Sequence, residues 1–369
     1  MALVLLYFAL FFGVHSFSKQ IRRSGAAKLF QLTACFVLLF VFFGFRDITV
    51  LNDTPHYYGH YYHKAHLVSY LHESIFKFHL LDKFEYGYQI LVHFLIKYVS
   101  KNSYTIIILS SFIFTVGNLW FISRQTKQIA LVCFLMIISG VLFDQYSMIR
   151  QSIAIMIFYR AYFLLKEDKY TKYSILILLA SQFHTSALML LVLPLLKQFR
   201  PSWRNILLMF LVSSIIALSI YSILSLIGLD EHIYYKMGMK RQTPPIAAIL
   251  DGLLMVILVV TYMLSIKKNP EEYNPTDFWI CILGLCICIV TPEFLPLFRL
   301  NAYLWPIIYL LFFKSTLGKK LFPLLVLILL ARISVILEFK TEWNHIVPYS
   351  FYDFSDKYHD FQIYWQKEN

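Results

Sequence analysis

The polar residues of this chain that could do chemistry stand inside or beside long apolar segments. Arg150 and Arg299 lie in two such segments, Arg46 follows a third, and His184 is in the middle of a fourth. Charged side chains are costly at membrane depth, so each of these residues is a functional hypothesis. Arginine keeps its charge, and its planar guanidinium binds phosphate oxygens in pairs. Two or three arginines at this depth would suit a lipid diphosphate, and a nearby carboxylate or histidine could take a proton from a hydroxyl group.

Each of these residues also has a structural interpretation. An arginine can equally form an ion pair between helices, and Arg160 and Arg332 lie near segment ends, where a long side chain extends to the lipid headgroups. A hydrogen-bonded core histidine is the commoner role for a residue such as His184. Asp251 near a segment start fits an interfacial carboxylate, and His93 fits a helix interface.

The composition indicates a membrane environment. Of the 369 residues, 59% are hydrophobic and only 15% are charged, and the mean hydropathy is +0.63. Average globular proteins are about 45–50% apolar and about 25% charged. These values exclude a disordered chain, a collagen-like chain and an ordinary soluble enzyme. Because the apolar residues form long runs, we predict an all-α, polytopic transmembrane helical bundle.

Twelve apolar segments are candidate spans, and we expect about 10–12 of them to cross the membrane within a single integral membrane domain over residues 1–369. A full crossing needs roughly 20 residues, so the shorter segments 129–143 and 278–290 could be tilted, half-buried or re-entrant. The candidates are residues 3–14, 29–44, 86–99, 104–122, 129–143, 149–165, 173–196, 206–227, 246–266, 278–290, 295–313 and 321–337.

Positive charge predicts the orientation of the chain. The net charge is +12, and basic residues crowd the short loops 16–28, 197–204 and 314–320, which should therefore be cytoplasmic. Strict alternation then places the slightly acidic loop 45–85 outside the cell, together with the acidic C-terminal tail 338–369. The same alternation puts Arg150 near the cytoplasmic face and the basic loop 166–172 outside, against the positive-inside pattern. No basic face with recognition spacing appears, so we predict no nucleic-acid partner.

The loop 45–85 is rich in tyrosine and histidine. Its aromatic faces could stack on sugar rings or lie at headgroup level. His56, His60 and His63 share one helical face, which could bind a metal ion, but no carboxylate or cysteine completes a ligand set. The five cysteines lie in apolar segments without a Cys-x-x-Cys pair, so the sequence suggests neither a disulfide framework nor a zinc site. We therefore predict neither a metal nor another cofactor.

Short motifs occur along the chain in a fixed order. The first four are Arg46-Asp47 with downstream Asp53 and Tyr57, Glu85-Tyr86-Gly87-Tyr88, Ile149-Arg150-Gln151-Ser152-Ile153-Ala154, and Phe183-His184-Thr185-Ser186-Ala187. The C-terminal half adds Arg299-Leu300-Asn301-Ala302-Tyr303. In this order the motifs resemble those of the EpsG-type family, a branch of the bacterial Wzy-like polysaccharide polymerases. One departure concerns the first loop, where Ile48-Thr49-Val50 stands in the place of a glycine that is usual in the family.

The resemblance implies a reaction and a location. Wzy-like polymerases join oligosaccharide repeat units that are carried on undecaprenyl diphosphate, at the outer face of the bacterial plasma (inner) membrane. They do so by glycosyl transfer without a nucleotide sugar and make exopolysaccharide, capsule or O-antigen. Their architecture is similar to that of GT-C-like lipid-dependent glycosyltransferases and O-antigen ligases. Membrane lipid, a chain-length regulator and a flippase of the same pathway are the further partners that it implies.

For such a reaction we predict three groups of site residues. The leaving diphosphate gathers negative charge, which preorganised arginines stabilise in a water-poor site. The diphosphate-binding candidates are Arg150, Arg299 and Arg46. The candidates for a catalytic base or a partner of the acceptor hydroxyl are Glu85, Asp53, Asp47 and His184, with the carboxylates in that order. The orienting candidates are Gln151, Asn301 and Tyr303.

Two other functions fit part of the pattern. A transporter or flippase for lipid-linked oligosaccharide would also have broken spans and intramembrane charge, but its internal repeat is not visible here. A membrane O-acyltransferase would use His184 as its base and would not need the arginines.

Overall fold

The all-α prediction is confirmed by the structure of the chain, a computed structural model. It describes residues 2–66, 84–226, 246–294, 297–339 and 345–353. These residues form fifteen α-helices and two short 3-10 helices. They contain no strand, and one isolated antiparallel bridge joins Arg46 to Phe351.

The α-helices are numbered in chain order. They are α1 (Ala2–Ser18), α2 (Ser24–Gly44), α3 (Thr54–His66), α4 (Tyr86–Tyr98), α5 (Thr105–Gln125), α6 (Ile129–Ile138), α7 (Val141–Ser147), α8 (Ile149–Lys166), α9 (Tyr170–Ser181), α10 (Val192–Gln198), α11 (Trp203–Leu226), α12 (Ile246–Lys268), α13 (Pro275–Val290), α14 (Phe298–Lys314) and α15 (Thr316–Phe339). The 3-10 helices are Thr185–Leu191 and Pro270–Glu272.

Several helices are long and apolar enough to cross a membrane, which indicates a multi-pass membrane protein. Within the described residues five pass by length and composition, and a sixth span results if α6 and α7 count as one bent pair. The five are Ser24–Gly44, Thr105–Gln125, Trp203–Ser222, Ala248–Lys268 and Thr316–Phe339. Other predicted segments form shorter helices: α4 has 13 residues and α13 has 16. Residues 295 and 296 of the segment 295–313 lie outside the described residues.

The chain forms two compact units. The first contains Met1–Arg160, Leu178–Thr185 and Val326–Asn369, and the second contains Ala161–Ile177 and Ser186–Leu325. Three helices, α8, α9 and α15, contribute residues to both units. The division therefore does not follow the order of the chain, because the last helix returns to the unit that the first helices build.

In the first unit, α2 and α5 run antiparallel. Lys28 Nζ near the start of α2 donates to the carbonyl of Ser123 near the end of α5 (3.3 Å). At the opposite end, the hydroxyl of Tyr104 donates to the carbonyl of Gly44, the last residue of α2 (3.0 Å). We call the end with Lys28 and Ser123 the Lys28 end. We call the end with Gly44 and Tyr104 the Arg46 end, because Arg46 follows Gly44 closely in the sequence.

The bent pair α6–α7 connects the two ends. At the Lys28 end, Ala130 N donates to Gln31 Oε1 (3.1 Å), and at the Arg46 end Ser147 Oγ accepts from Asp53 N (3.2 Å). The two helices are bent by 76° around Gly140, whose φ of 88° suits a residue without Cβ. The short predicted segment 129–143 is thus the larger part of a broken segment.

Arg332 stabilises the break between α6 and α7. Its Nη1 donates to the carbonyl of Ser139 (3.0 Å), which has lost its place in a continuous helix. An unsatisfied carbonyl is costly in a membrane, so a donor at this point is needed. Arg332 therefore makes an internal contact instead of extending to the headgroups, as its sequence position had suggested.

The helix α4 begins and ends at the Arg46 end. Glu85, which precedes it, is ion-paired with Arg150, and Tyr104, six residues after it, donates to the carbonyl of Arg46 (2.6 Å). The segment 86–99 therefore does not cross the unit. Arg150 therefore lies at the same end as Arg46, and not at the opposite end as strict alternation had predicted. The basic loop 166–172 follows the C-terminus of α8, whereas Arg150 is near its N-terminus. This helix has 18 residues and is about 27 Å long.

In the second unit, α13 is the central helix. It packs against α11, α12 and α14, and most of its residues are buried because they are apolar on all sides. Its N-terminus is fixed by Asp277, whose carboxylate accepts from the Tyr162 hydroxyl (2.6 Å) and from Lys166 Nζ (2.7 Å). Near its C-terminus, Cys288 Sγ accepts from the Asn301 amide of α14 (3.1 Å).

Candidate active site

Three of the sequence motifs meet at the Arg46 end of the first unit. Glu85 precedes α4, and Arg150 is the second residue of α8. Oε2 of Glu85 is ion-paired with Nη1 of Arg150, while Oε1 accepts from the backbone N of Thr185 (3.2 Å). One carboxylate therefore joins the Glu85, Arg150 and His184 motifs, whose members are up to 100 residues apart in sequence.

The glycine of the second motif allows this meeting. Gly87 N donates to the carbonyl of Gln182 (2.8 Å). A Cβ at position 87 would lie 2.8 Å from this oxygen and 2.9 Å from Gln182 Cβ, closer than real Cβ atoms approach. Only glycine lets the first turn of α4 approach the segment that carries Thr185 so closely.

The guanidinium of Arg150 is held in place but keeps a spare donor. It lies over the Phe84 ring, 4.5 Å from the centroid, in a cation–π contact. The side chains of Arg150 and Glu85 are 19% and 13% exposed. Among the described residues, Arg150 Nε has no hydrogen-bond acceptor. The planar cation is therefore oriented by an aromatic face, the Tyr57 side chain and a single carboxylate, and its buried Nε remains available as a donor.

Tyr57 and Asp53 complete this group of residues. The hydroxyl of Tyr57 accepts from the backbone N of Arg150 (3.4 Å). Burial raises the pKa of Tyr57, the Arg150 charge opposes the increase, and the Asp53 charge adds to it. The Asp53 charge thus acts on this hydroxyl. We call Asp53, Tyr57, Glu85, Arg150 and Thr185 the Arg150 cluster.

Tyr57 and Phe84 were not among the predicted site residues. Tyr57 lies in the first motif, three residues after the start of α3, and Phe84 directly precedes Glu85. Aromatic residues adjacent to charged motif residues are the feature that could have identified them, since cation–π contacts need an aromatic face within about 6 Å of the charge.

Arg46 is a different kind of residue. It is fully buried, and Nε donates to Thr54 Oγ1 (3.2 Å), Nη2 to the carbonyl of Tyr146 (3.1 Å), and Nη1 to Ser111 Oγ (3.1 Å) and the carbonyl of Phe43. Burial lowers its pKa to about 10, so it remains charged at neutral pH. Its donors are engaged by protein oxygens, an arrangement that favours a structural role over the predicted binding of a diphosphate.

Asp47 closes a local turn. Its Oδ1 accepts from the backbone N of Thr49 (2.9 Å) and from Thr49 Oγ1 (2.6 Å). Its own N donates to the carbonyl of Ser350 (2.9 Å), beside the bridge between Arg46 and Phe351. The backbone of Asp47 therefore connects the first loop to the described part of the tail, residues 345–353. The rest of the predicted tail, apart from 338 and 339, lies outside the described residues.

His184 lies in a break and not in the middle of a helix. The predicted segment 173–196 is divided into α9, the 3-10 helix Thr185–Leu191 and α10. The backbone N of His184 still donates to the carbonyl of Ala180 (3.1 Å), and its side chain is half-buried directly before Thr185. The apolar run is interrupted because Gln182 and Thr185 are engaged by α4 and Glu85. Gln151, another predicted residue, is fully buried next to Arg150.

Arg299, Asn301 and Tyr303 belong to the second unit, on α14. The hydroxyls of Tyr303 and Ser186 are hydrogen-bonded (3.1 Å), which joins the C-terminal motif to the motif of His184. Arg299 lies one turn before Tyr303 on the same helix face. Asn301 donates to Cys288 Sγ and so packs α14 against α13. The binding of a diphosphate by Arg299 stays a prediction.

The histidine-rich stretch gives no support for a metal site. Within the described residues, no group of three or more His, Cys, Asp or Glu side chains is placed to hold a metal ion. His56, His60 and His63 lie on α3, whereas His72 and His79 fall outside the described residues.

Comparison with protein families identifies the family to which these motifs belong. The model of the EpsG family matches residues 29–351, a range that contains all five motifs. The chain belongs to the EpsG family. Membership in EpsG indicates a polysaccharide-polymerase-like role, and together with the apolar helices it indicates polysaccharide biosynthesis at a membrane. Comparison with curated proteins and with solved structures gives no match.

Proposed function

We propose that this EpsG protein is a polysaccharide polymerase that joins oligosaccharide repeat units carried on undecaprenyl diphosphate. The observation that supports this most is the Arg150 cluster. It brings together residues of four motifs, including a single half-buried arginine and two carboxylates. These are the groups that transfer of a sugar from a diphosphate to a hydroxyl requires, a leaving-group stabiliser and a proton acceptor.

The reaction explains why an arginine is needed. The acceptor hydroxyl attacks the anomeric carbon, and the bond from this carbon to the diphosphate breaks. Negative charge then develops on the diphosphate, where Arg150 can donate paired hydrogen bonds. The bond that breaks supplies the free energy of transfer, so the proposal needs no nucleotide sugar. Glu85, which is paired with Arg150, and Asp53, whose charge acts on Tyr57, are the proton acceptors that we propose for this cluster.

The position of the cluster supports a reaction at the outer face of the bacterial plasma membrane. It lies at the Arg46 end, and the basic loop 16–28 lies at the Lys28 end of α2. Basic short loops are cytoplasmic, so the Arg46 end would face outward. A reaction there needs a flippase that delivers the lipid-linked units. The proposal therefore includes membrane lipid, a flippase and a chain-length regulator as partners.

Deletion of the gene tests the reaction. We expect single lipid-linked repeat units to accumulate and long polysaccharide to disappear, and a plasmid copy should restore both. The lipid-linked fraction is measured by mass spectrometry and the polymer by gel electrophoresis. Long chains of unchanged length in the deletion strain would refute a polymerase. Loss of lipid-linked units from the outer leaflet would instead indicate a flippase, and loss of an acyl group from an intact polymer would indicate an acyltransferase.

Cysteine labelling tests the orientation. Asn52 is exposed at the Arg46 end, and Ser24 is exposed at the start of α2. We expect an impermeant thiol reagent to label Asn52→Cys on intact cells and Ser24→Cys only after lysis. Background should be low, because four of the five native cysteines are buried and Cys288 is half-buried. Labelling in the reverse order would move the Arg150 cluster to the cytoplasm.

A further inference from the structure

We propose that the ion pair between Glu85 and Arg150 is a switch operated by the substrate. The diphosphate of the lipid carrier replaces Glu85 on Arg150, and the released carboxylate of Glu85 then accepts the proton of the acceptor hydroxyl. This inference rests on the proposed function and adds the order of events at the same site.

In the structure, Glu85 is not ready to act as a base. Oε2 is ion-paired with Arg150, and Oε1 accepts from Thr185 N. Both oxygens of the carboxylate therefore already accept from a protein donor. The acceptor hydroxyl can donate to this carboxylate in place of Arg150 only when the ion pair has opened.

Arg150 has an unused donor for a second partner. The ion pair joins Oε2 of Glu85 to Nη1, and Nε has no acceptor among the described residues. A diphosphate carries more charge than one carboxylate and can accept from two nitrogens of a guanidinium at once. The Phe84 ring holds the guanidinium plane from one side. The exchange thus replaces the single contact between Nη1 and Glu85 by two hydrogen bonds to the diphosphate. The Phe84 ring keeps the guanidinium in the same orientation.

Glu85 keeps one anchor when it is released. Its Oε1 contact with Thr185 N is a single hydrogen bond of 3.2 Å at an exposed position. This bond keeps the carboxylate beside the site while the side chain turns away from Arg150. The ion pair between Asp277 and Lys166 in the second unit differs, because Tyr162 donates to the same carboxylate and Asp277 is only 5% exposed. The carboxylate of Asp277 is therefore more enclosed than that of Glu85, which is 13% exposed.

The transfer step is balanced in atoms and charge. The oxygen of the acceptor hydroxyl forms a bond to the anomeric carbon, and the bond from this carbon to the diphosphate oxygen breaks. The electron pair of that bond goes to the diphosphate on Arg150, and the hydroxyl proton goes to Glu85. When Glu85 gives this proton to water, it regains its charge and competes again for Arg150. The returning ion pair therefore promotes release of undecaprenyl diphosphate.

The switch predicts opposite effects on binding and turnover. Glu85→Gln removes the competing charge and also the proton acceptor. We expect the purified variant in lipid nanodiscs to bind undecaprenyl diphosphate several-fold more tightly than the wild type. Its kcat with lipid-linked repeat units should fall roughly 100-fold or more, the usual size of general base catalysis. Glu167→Gln, an exposed carboxylate paired with Lys169, is the matched control and should change neither value.

Each outcome has a separate meaning. If the wild type neither binds undecaprenyl diphosphate nor extends lipid-linked units, the proposed function fails. If the wild type does both but Glu85→Gln binds the diphosphate equally or more weakly, only the switch fails. A second measurement needs no variant: carbodiimide labelling of wild-type Glu85, read by mass spectrometry, should increase when undecaprenyl diphosphate is added. Unchanged or reduced labelling of Glu85, with Glu167 as internal reference, would also overturn the switch.

Discussion

The junction between α2 and α3, which contains Arg46, and the junction between α7 and α8, which leads into Arg150, lie at the same end of the first unit. Both present an arginine that follows an apolar helix. The guanidinium of Arg46 is fully buried among two carbonyl and two hydroxyl oxygens. That of Arg150 is partly exposed and is paired with a carboxylate.

Arg46 and Arg150 differ in whether their hydrogen-bond acceptors can move away. Backbone carbonyls cannot leave Arg46 without unfolding the helix ends that carry them, so its interactions are permanent. A glutamate side chain can rotate away from Arg150, so this interaction can be exchanged for a ligand. The acceptors around an arginine therefore indicate its role better than its depth in the membrane does.

The largest effect should follow from Arg46→Lys. Lysine cannot reproduce four hydrogen bonds in fork geometry, and each buried acceptor left without a donor costs about 1–3 kcal/mol. We expect a destabilisation on the order of 3 kcal/mol and a clear loss of folded protein from the membrane. Thermal unfolding in detergent and immunoblotting measure the two effects. A stable Arg46→Lys protein without activity would make Arg46 a ligand-binding residue after all.

The next effect concerns activity alone. Arg150→Lys keeps the charge but loses paired donation to the diphosphate, at a cost on the order of 3 kcal/mol, or about a hundredfold in rate. We expect the protein to accumulate normally while polymer synthesis falls. The matched control is Arg160→Lys, an exposed position on the same helix, which should be neutral. Normal polymer from Arg150→Lys would remove the residue from the diphosphate site.

A smaller effect should follow from Gly87→Ala. The added Cβ would meet the carbonyl of Gln182 at 2.8 Å, so α4 must shift and carry Glu85 away from Thr185. Overpacking of this kind costs about 1–3 kcal/mol. We expect a partial loss of polymer with a modest loss of stability. Gly13→Ala, where nothing lies within 4 Å, is the control, and equal behaviour of the two variants would contradict the close approach.

The sequence predicted the class of the fold better than its path. Composition and apolar runs suffice for an all-α membrane protein, and the order of the motifs suffices for the family. Hydropathy could not show that α4 returns to its starting end, because a short apolar helix has the same composition whether or not it crosses. That one segment brings Arg150 to the same end as Arg46, where strict alternation had predicted opposite ends.

The sequence identified several residues of the site, but it could not show which residues they contact. Arg150 and Glu85 were both named from their motifs, and the structure pairs them. Arg46 looked equivalent to Arg150 because its neighbours in sequence are also apolar. Its acceptors come in part from Ser111 and Tyr146, 65 and 100 residues away, and their positions depend on how α5 and α7 pack. Local sequence carries no information on such distant partners.

The contact between Arg332 and Ser139 has a consequence for the order in which the chain is made. Ser139 leaves the ribosome 193 residues before its donor. The bridge between Arg46 and Phe351 spans an even longer part of the chain. During synthesis, the carbonyl of Ser139 therefore lacks its Arg332 donor until nearly the whole polypeptide has been made. The first unit can therefore be completed only after its helices have been inserted. A chain that stops before α15 would contain every residue of the Arg150 cluster, but it would lack the contact between Arg332 and Ser139.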